Sequence, residues 1–336
     1  MTPIHQLTYL QAVVIGLIQG ITELFPVSSL GHTVLIPSWL GGSWGALVRE
    51  ESRPESPYLA FVVGLHLATA IVLLGVYGRT WIRVIRGFVT SITRREVRSA
   101  DQKLAWLIVV ATIPVGLAGL VLEHPFRVLF AKPLAAAIFL MINGGILLGG
   151  ELLRRRELRQ PDVAGISPRQ EALVGSPRPV NVPGPAPEPA EQLVLSDRDT
   201  MLDEASKQRL AGLGIWNALW IGASQILALF AGISREGVTM VGGLTRGLNH
   251  EDAMRFSFLL STPVILAAGI LKISDLTGSL GAGVRGQIIA GSIAAAATSL
   301  FAVLFLARWF RTRTLVPFAV YCLLAGLVSV IRFGLF

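Results

Sequence analysis

The chain has 336 residues, 52% of them hydrophobic and only 15% charged. Soluble domains carry about 25% charged residues, so this composition excludes a soluble enzyme or binding module and implies an integral membrane protein. The formal net charge of +8 would suggest a nucleic-acid partner in a soluble chain. Here the positive residues sit beside the ends of apolar runs, and no nucleic acid is expected.

In chain order, the first apolar segment is 7–39. It is long enough for one span plus a fragment, yet Pro26, Ser28, Ser29 and Gly31 sit in its middle. It reads as two half-helices forming a re-entrant hairpin. Irregular backbone at membrane depth is tolerated only where protein buries it or it lines a cavity. Three runs follow at 57–77, 104–122 and 134–153, each near the roughly 20 residues that cross a bilayer. Residues 154–206 break the pattern. Eight prolines fall within 161–190, and the stretch has no apolar periodicity, so it reads as a flexible linker. A second interrupted segment, 213–248, is expected to break at 232–237 and form a second re-entrant hairpin. Runs at 253–271, 287–305 and 315–330 bring the spans to six. Cys322, the only cysteine, lies in the last of them, which rules out a disulfide framework.

The expected fold is therefore an all-α polytopic membrane protein with six transmembrane helices and two re-entrant hairpins. Residues 1–153 form a first membrane repeat, 154–206 the linker and 207–336 a second repeat. Three spans separate one hairpin from the next half, so the halves are expected to be inverted repeats. Paired interrupted segments in corresponding positions mark a midplane site in such architectures. Arginines crowd alternate loops: Arg79, Arg83, Arg86, Arg94, Arg95 and Arg98 after the first span, Arg154, Arg155 and Arg156 after the third, Arg308, Arg311 and Arg313 after the fifth. By the positive-inside rule these loops are cytoplasmic and both termini face outward.

The two interruptions carry similar polar clusters. The first runs Gln19-Gly-Ile-Thr-Glu23-Leu-Phe-Pro26-Val-Ser28-Ser29-Leu-Gly31-His32, and the second runs Gln225-Ile-Leu-Ala-Leu-Phe230-Ala-Gly232-Ile-Ser234-Arg235-Glu236-Gly237-Val-Thr239. Polar and ionisable side chains at membrane depth are costly, so they are functional candidates by default. Gln19 and Glu23 are four apart and share a helix face. Their hard oxygen donors suit Mg²⁺ or Ca²⁺. Ser28 and Ser29 fall where the next half-helix starts, as N-caps do. His32 follows Ser29 by one turn, so imidazole and hydroxyl are placed to approach as base and nucleophile. Ser234 opens a half-helix whose free N–H groups favour an anion. Arg235 can clamp phosphate oxygens in bidentate fashion, and Gly232 lets backbone approach a ligand. Thr239 closes the cluster and joins the substrate-binding candidates. His66, within a span, reads as a hydrogen-bonded packing residue.

At these residues the sequence resembles the bacterial undecaprenyl-diphosphate phosphatases, also called bacitracin-resistance proteins. The family's (Glu/Gln)-x-x-x-Glu motif leading into Pro-Val-Ser-Ser-x-Gly-His is matched by Gln19, Glu23 and Pro26 to His32. Its Pro-Gly-x-Ser-Arg-Ser-Gly motif is matched by Gly232, Ser234, Arg235 and Gly237. Leu65-His66-Leu-Ala-Thr69, Gly242-Gly243-Leu and Arg255-Phe-Ser-Phe-Leu-Leu-Ser-Thr-Pro263 match further. The resemblance implies a homodimer, a divalent cation, a polyprenyl diphosphate substrate and a site in the bacterial inner membrane open to the outer face. It assigns Gln19 and Glu23 to metal or diphosphate, Ser29 and His32 to nucleophile and base, and Ser234 and Arg235 to phosphate.

Two positions depart from the motif: Ala231 replaces its proline and Glu236 its serine. A carboxylate beside Arg235 would repel a diphosphate unless it binds metal or faces away. A polyprenyl-phosphate flippase or another inverted-repeat transporter would share the architecture, but ion-coupled carriers need carbonyls and carboxylates rather than a Ser/His/Arg set. The type-2 phosphatidic acid phosphatase pattern fails, because no histidine follows Ser234-Arg235 at the spacing it requires.

Overall fold

The structure, a computed structural model, describes residues 7–51, 57–130, 132–159, 204–272, 278 and 283–335. These form thirteen α-helices and a 3₁₀ turn, with no strand among the described residues. Thr8 caps the first helix, α1 (Tyr9–Leu24), through a capping box in which its side chain accepts from Gln11 N–H at 3.2 Å and its own N–H donates to Gln11 Oε1 at 3.0 Å. Helix α1 ends one residue before Phe25, which is extended because the ring of Pro26 disfavours helical geometry in the residue before it. The chain then turns into α2 (Ser29–Leu40), giving the first re-entrant hairpin.

A short α3 (Gly42–Glu51) leads to α4 (Pro57–Val76), α5 (Gly78–Arg94), α6 (Ala100–Phe130) and α7 (Pro133–Arg159). The second half opens with α8 (Glu204–Ala211) and a bend of 95° into α9 (Ile215–Ser224) and a 3₁₀ turn over Gln225–Leu229. Helix α10 (Arg235–Leu244) completes the second hairpin, followed by α11 (His250–Leu271), α12 (Arg285–Trp309) and α13 (Val316–Leu335). Five helices, α6, α7, α11, α12 and α13, are single pieces long and apolar enough to span. The remaining expected span, 57–77, is α4, which is bent by 83° at Tyr77 from α5. Large apolar side chains such as Ile71, Leu117, Ile293 and Leu324 stand exposed on these helices, as suits a surface solvated by lipid.

Packing repeats between the halves. Helix α1 lies along α12, and α9 lies along α6; α7 pairs with α13, and α4 with α11. Small residues permit these contacts. A Cβ on Gly16 of α1 would sit 2.3 Å from the Gly291 carbonyl oxygen of α12, and one on Gly222 of α9 would sit 2.0 Å from that of Ala111 in α6. Close backbone approach of this kind is how membrane helices associate without a hydrophobic drive between them. The partner exchange, hairpin of one half against second span of the other, is the packing of inverted repeats.

Two features differ from the sequence reading, and a third lies largely outside the described residues. Residues 79–103, read as an arginine-rich loop, contain α5. Its Ile82, Ile85, Val89 and Ile92 stand exposed on one side while Arg79, Arg83 and Arg86 project from another. This is the pattern of a helix lying in the membrane surface, and it is hidden when only long apolar runs are sought. The second break begins at Gln225 rather than Gly232, because α9 tightens into the 3₁₀ turn before the glycine is reached. The linker expected over 154–206 falls mostly outside the described residues, since α7 runs to Arg159 and α8 opens at Glu204.

Candidate active site

The tips of the two hairpins meet. A Cβ on Gly31 would lie 2.9 Å from Gly232 Cα. Gly232 itself has φ +113°, and a Cβ there would lie 2.4 Å from the Ala136 carbonyl oxygen of α7. Only glycine meets both demands.

Each tip borrows hydrogen bonds from the other. Ser28 caps α2, its Oγ accepting from Gly31 N–H at 3.2 Å, and the same oxygen accepts from Gly232 N–H of the second tip at 3.2 Å. Ser234 caps α10 by accepting from Gly237 N–H at 3.1 Å and donates to the Phe25 carbonyl of the first tip at 3.4 Å. Ser28 holds φ +72°. A non-glycine residue in that region costs on the order of 1–3 kcal/mol and persists where its surroundings over-determine it; two hydrogen bonds to Oγ do so here.

Glu23 is the centre of the arrangement. It is buried at the end of α1. Ser29 donates its hydroxyl to Glu23 Oε2. His66 Nε2 lies 3.3 Å from the same oxygen, with Nδ1 donating to the Val62 carbonyl at 2.9 Å. Arg235 Nη1 is 3.8 Å from Glu23 Oε1, and this buried nitrogen has no hydrogen-bond acceptor among the described residues. The Arg235 side chain keeps 26% of its surface accessible, so part of it is reachable from outside although Nη1 itself is buried.

The structure brings together Glu23, Ser29 and Arg235 and distributes the other sequence candidates around them. Gln19 is buried, its Oε1 accepting from Thr69 Oγ1 at 3.3 Å and its Nε2 without a partner among the described residues. Thr69 is in turn linked to Ser299 at 2.9 Å. Ser28, Gly232 and Ser234 spend their polar groups on the staples between tips. Thr239 donates to the Arg235 carbonyl at 2.7 Å, which fixes the first turn of α10.

The approach of His32 to Ser29 is not made. His32 Nδ1 donates to the Ser28 carbonyl at 2.7 Å, and Nε2 is 2.7 Å from the Tyr321 hydroxyl, with the two rings stacked. The local cap turn captures Nδ1 before it can reach the neighbouring hydroxyl. Glu236 faces α11, where Ser257 and Ser261 both donate to its carboxylate, the latter at 2.5 Å. Both oxygens are thus engaged in packing against α11.

Sequence reasoning left His66 among the packing residues, although it lies in a motif-matched segment; its contact with Glu23 joins residues 43 positions apart. Thr69 closes the same matched segment, and Tyr321 carried no local signal. For a metal, no group of three His, Cys, Asp or Glu gathers among the described residues. Glu23 is the carboxylate beside Ser29 and Arg235, and the Gln19 carbonyl oxygen is engaged by Thr69. This donor set fits a small cation bound largely through phosphate oxygens of a substrate, the usual habit of Mg²⁺, rather than an all-protein cage.

Paired re-entrant tips that hold a serine on a carboxylate beside an arginine, set among apolar spans, define an integral membrane protein with a candidate phosphate site. The family profile described as Bacitracin resistance protein BacA matches residues 12–184 and 192–328, and the chain belongs to that family. It is 53% identical to Undecaprenyl-diphosphatase 2 of Frankia alni, covering 98% of this chain and 99% of that protein. It is 52% identical to Undecaprenyl-diphosphatase of Mycolicibacterium paratuberculosis, covering 98% of each. Identity to Undecaprenyl-diphosphatase of Granulibacter bethesdensis is 37%, over 96% of each.

Because Glu236 serves α11, Glu236→Gln should lower the thermal midpoint in detergent. It leaves at least one serine hydroxyl without its acceptor, at a cost of about 1–3 kcal/mol. Activity per folded molecule should stay within about threefold, since surroundings and not reacting groups change. A shifted cation requirement with an unchanged midpoint would instead give Glu236 a role in binding the cation.

Proposed function

We propose that the protein hydrolyses undecaprenyl diphosphate to undecaprenyl phosphate and inorganic phosphate, recycling the carrier lipid for peptidoglycan synthesis and so conferring bacitracin resistance. The observation that carries this reading is the buried Arg235 nitrogen without an acceptor among the described residues, 3.8 Å from the carboxylate that holds Ser29. A buried donor left unmade is costly, and a terminal phosphate oxygen placed between Arg235 and Ser29 satisfies it. Arg235 then neutralises charge on the phosphoryl oxygens, where most catalysis of phosphoryl transfer lies.

In the proposed course, Ser29 Oγ attacks the terminal phosphorus and its proton passes to Glu23. The anhydride P–O bond breaks, and undecaprenyl phosphate leaves with the bonding electron pair. Water then attacks the phosphoserine, the Ser29 O–P bond breaks as that oxygen recovers its proton from Glu23, and inorganic phosphate departs with the oxygen and both protons of the water. His66 holds Glu23 from the other side. His32 fixes the backbone of the cap at Ser28 rather than taking the proton. Glu23, with Gln19 once its carbonyl leaves Thr69, would hold a divalent cation, Mg²⁺ or Ca²⁺, which when bound offsets diphosphate charge. Gln19, Ser28, Gly232, Ser234 and Thr239 shape the pocket around the phosphates.

The site is proposed to face the outer side of the bacterial inner membrane in a homodimer, with the arginine-rich loops cytoplasmic and both termini outside. The arginine distribution supports this orientation, and the family resemblance supports the dimer.

Purified protein should release phosphate from polyprenyl diphosphate, and a chelator should suppress the release. Arg235→Lys should reduce turnover by about 10²-fold or more, because the planar two-point donor is lost. Near-normal turnover in that variant would remove the clamp role. In sealed right-side-out cells, added protease should leave residues 161–190 uncut, and cleavage there would reverse the orientation.

A further inference from the structure

We propose that Asn143 is a positioning residue for the reaction, the single side chain that sets the spacing between Arg235 and the Glu23–Ser29 pair; this rests on the phosphatase reading of the site. Asn143 lies in α7, outside both hairpins, and is fully buried. Its Nδ2 donates to the Pro26 carbonyl of the first tip at 3.0 Å, and its Oδ1 accepts from the Ser234 N–H of the second tip at 3.0 Å. Nδ2 also approaches Cys322 Sγ of α13 at 3.4 Å. One amide group therefore spans the joint between the two loops and ties it to the α7/α13 pair.

The choice of side chain follows from the groups it must serve. Pro26 precedes Ser29 by three residues and follows Glu23 by three, and its carbonyl lies beyond the end of α1, where no helical donor reaches it. Ser234 immediately precedes Arg235, and its N–H points away from its own helix. A carbonyl from one tip and an N–H from the other need an acceptor and a donor side by side at fixed separation. An amide supplies both, aspartate lacks the donor, and leucine lacks both. The other hydrogen bonds between the tips among the described residues are those of the two serine caps, one of them 3.4 Å long. Asn143 is the tie anchored in a third, rigid element, so it fixes where Arg235 stands relative to Glu23.

The test is a double-mutant cycle with a hydrogen-exchange arm. Asn143→Ala should lower kcat by about 10²-fold, since a displacement of roughly 1 Å in a positioned group costs that much. KM should move little. In an Arg235→Lys background the same change should add less than about threefold, because residues acting as a unit are non-additive. Asn143→Asp keeps the acceptor for Ser234 N–H and loses the donor to Pro26. The Ser234 amide should therefore lose exchange protection in Asn143→Ala and keep it in Asn143→Asp, and Asn143→Asp carries the cycle if the alanine variant does not fold. Equal losses in both backgrounds, or unchanged Ser234 exchange in Asn143→Ala, would overturn the positioning role. Absence of hydrolysis by the unaltered protein would instead sink the phosphatase reading, and the exchange arm would still decide whether Asn143 holds the tips.

Discussion

Two broken helices that end inside a bilayer cannot satisfy their own polar backbone, and the whole structure depends on each completing the other. Gly232 N–H finds its acceptor in Ser28 of the opposite tip, and the Phe25 carbonyl finds its donor in Ser234. With no water to take these groups, an unmet one costs several kcal/mol. The tips are therefore held together, and glycine is required where they touch. The pairing of each hairpin with a span of the other half, α1 on α12 and α9 on α6, holds them from behind.

That constraint generates the chemistry. Joining the tips puts the end of α1, with Glu23, beside the start of α2, with Ser29, and the start of α10, with Arg235. A carboxylate that already holds a hydroxyl stands 3.8 Å from an arginine, so a hydroxyl, its acceptor and a cation share one point. The same contacts explain why neighbouring polar residues are not interchangeable with these three. Ser28 and Ser234 are consumed as caps, Thr239 as a backbone brace, His32 between the Ser28 carbonyl and Tyr321, and Glu236 against α11.

The spans, the two interruptions and the key side chains Glu23, Ser29 and Arg235 were legible in the sequence, because length of apolar run, a proline break and serine caps are local signals. What escaped it follows from sequence distance or from charge. Glu23 and Ser29 are separated by a helix break, so helical periodicity could not pair them, while it favoured His32 at one turn. His66, Asn143 and Tyr321 reach the tips from other helices, with no spacing rule to announce them. Helix α5 was concealed by its arginines, which read as loop in any scan for apolar length.

The central claim is that Ser29, held by Glu23, becomes the covalent carrier of the terminal phosphate. The most direct measurement is rapid acid quench of the purified protein with polyprenyl diphosphate labelled in its terminal phosphate, followed by peptide mapping. The account expects transient label on the peptide containing Ser29, rising before free phosphate and decaying as it accumulates. Label passing straight into free phosphate, with that peptide unlabelled at every time point while turnover proceeds, would show that water attacks directly and that Ser29 is not the nucleophile.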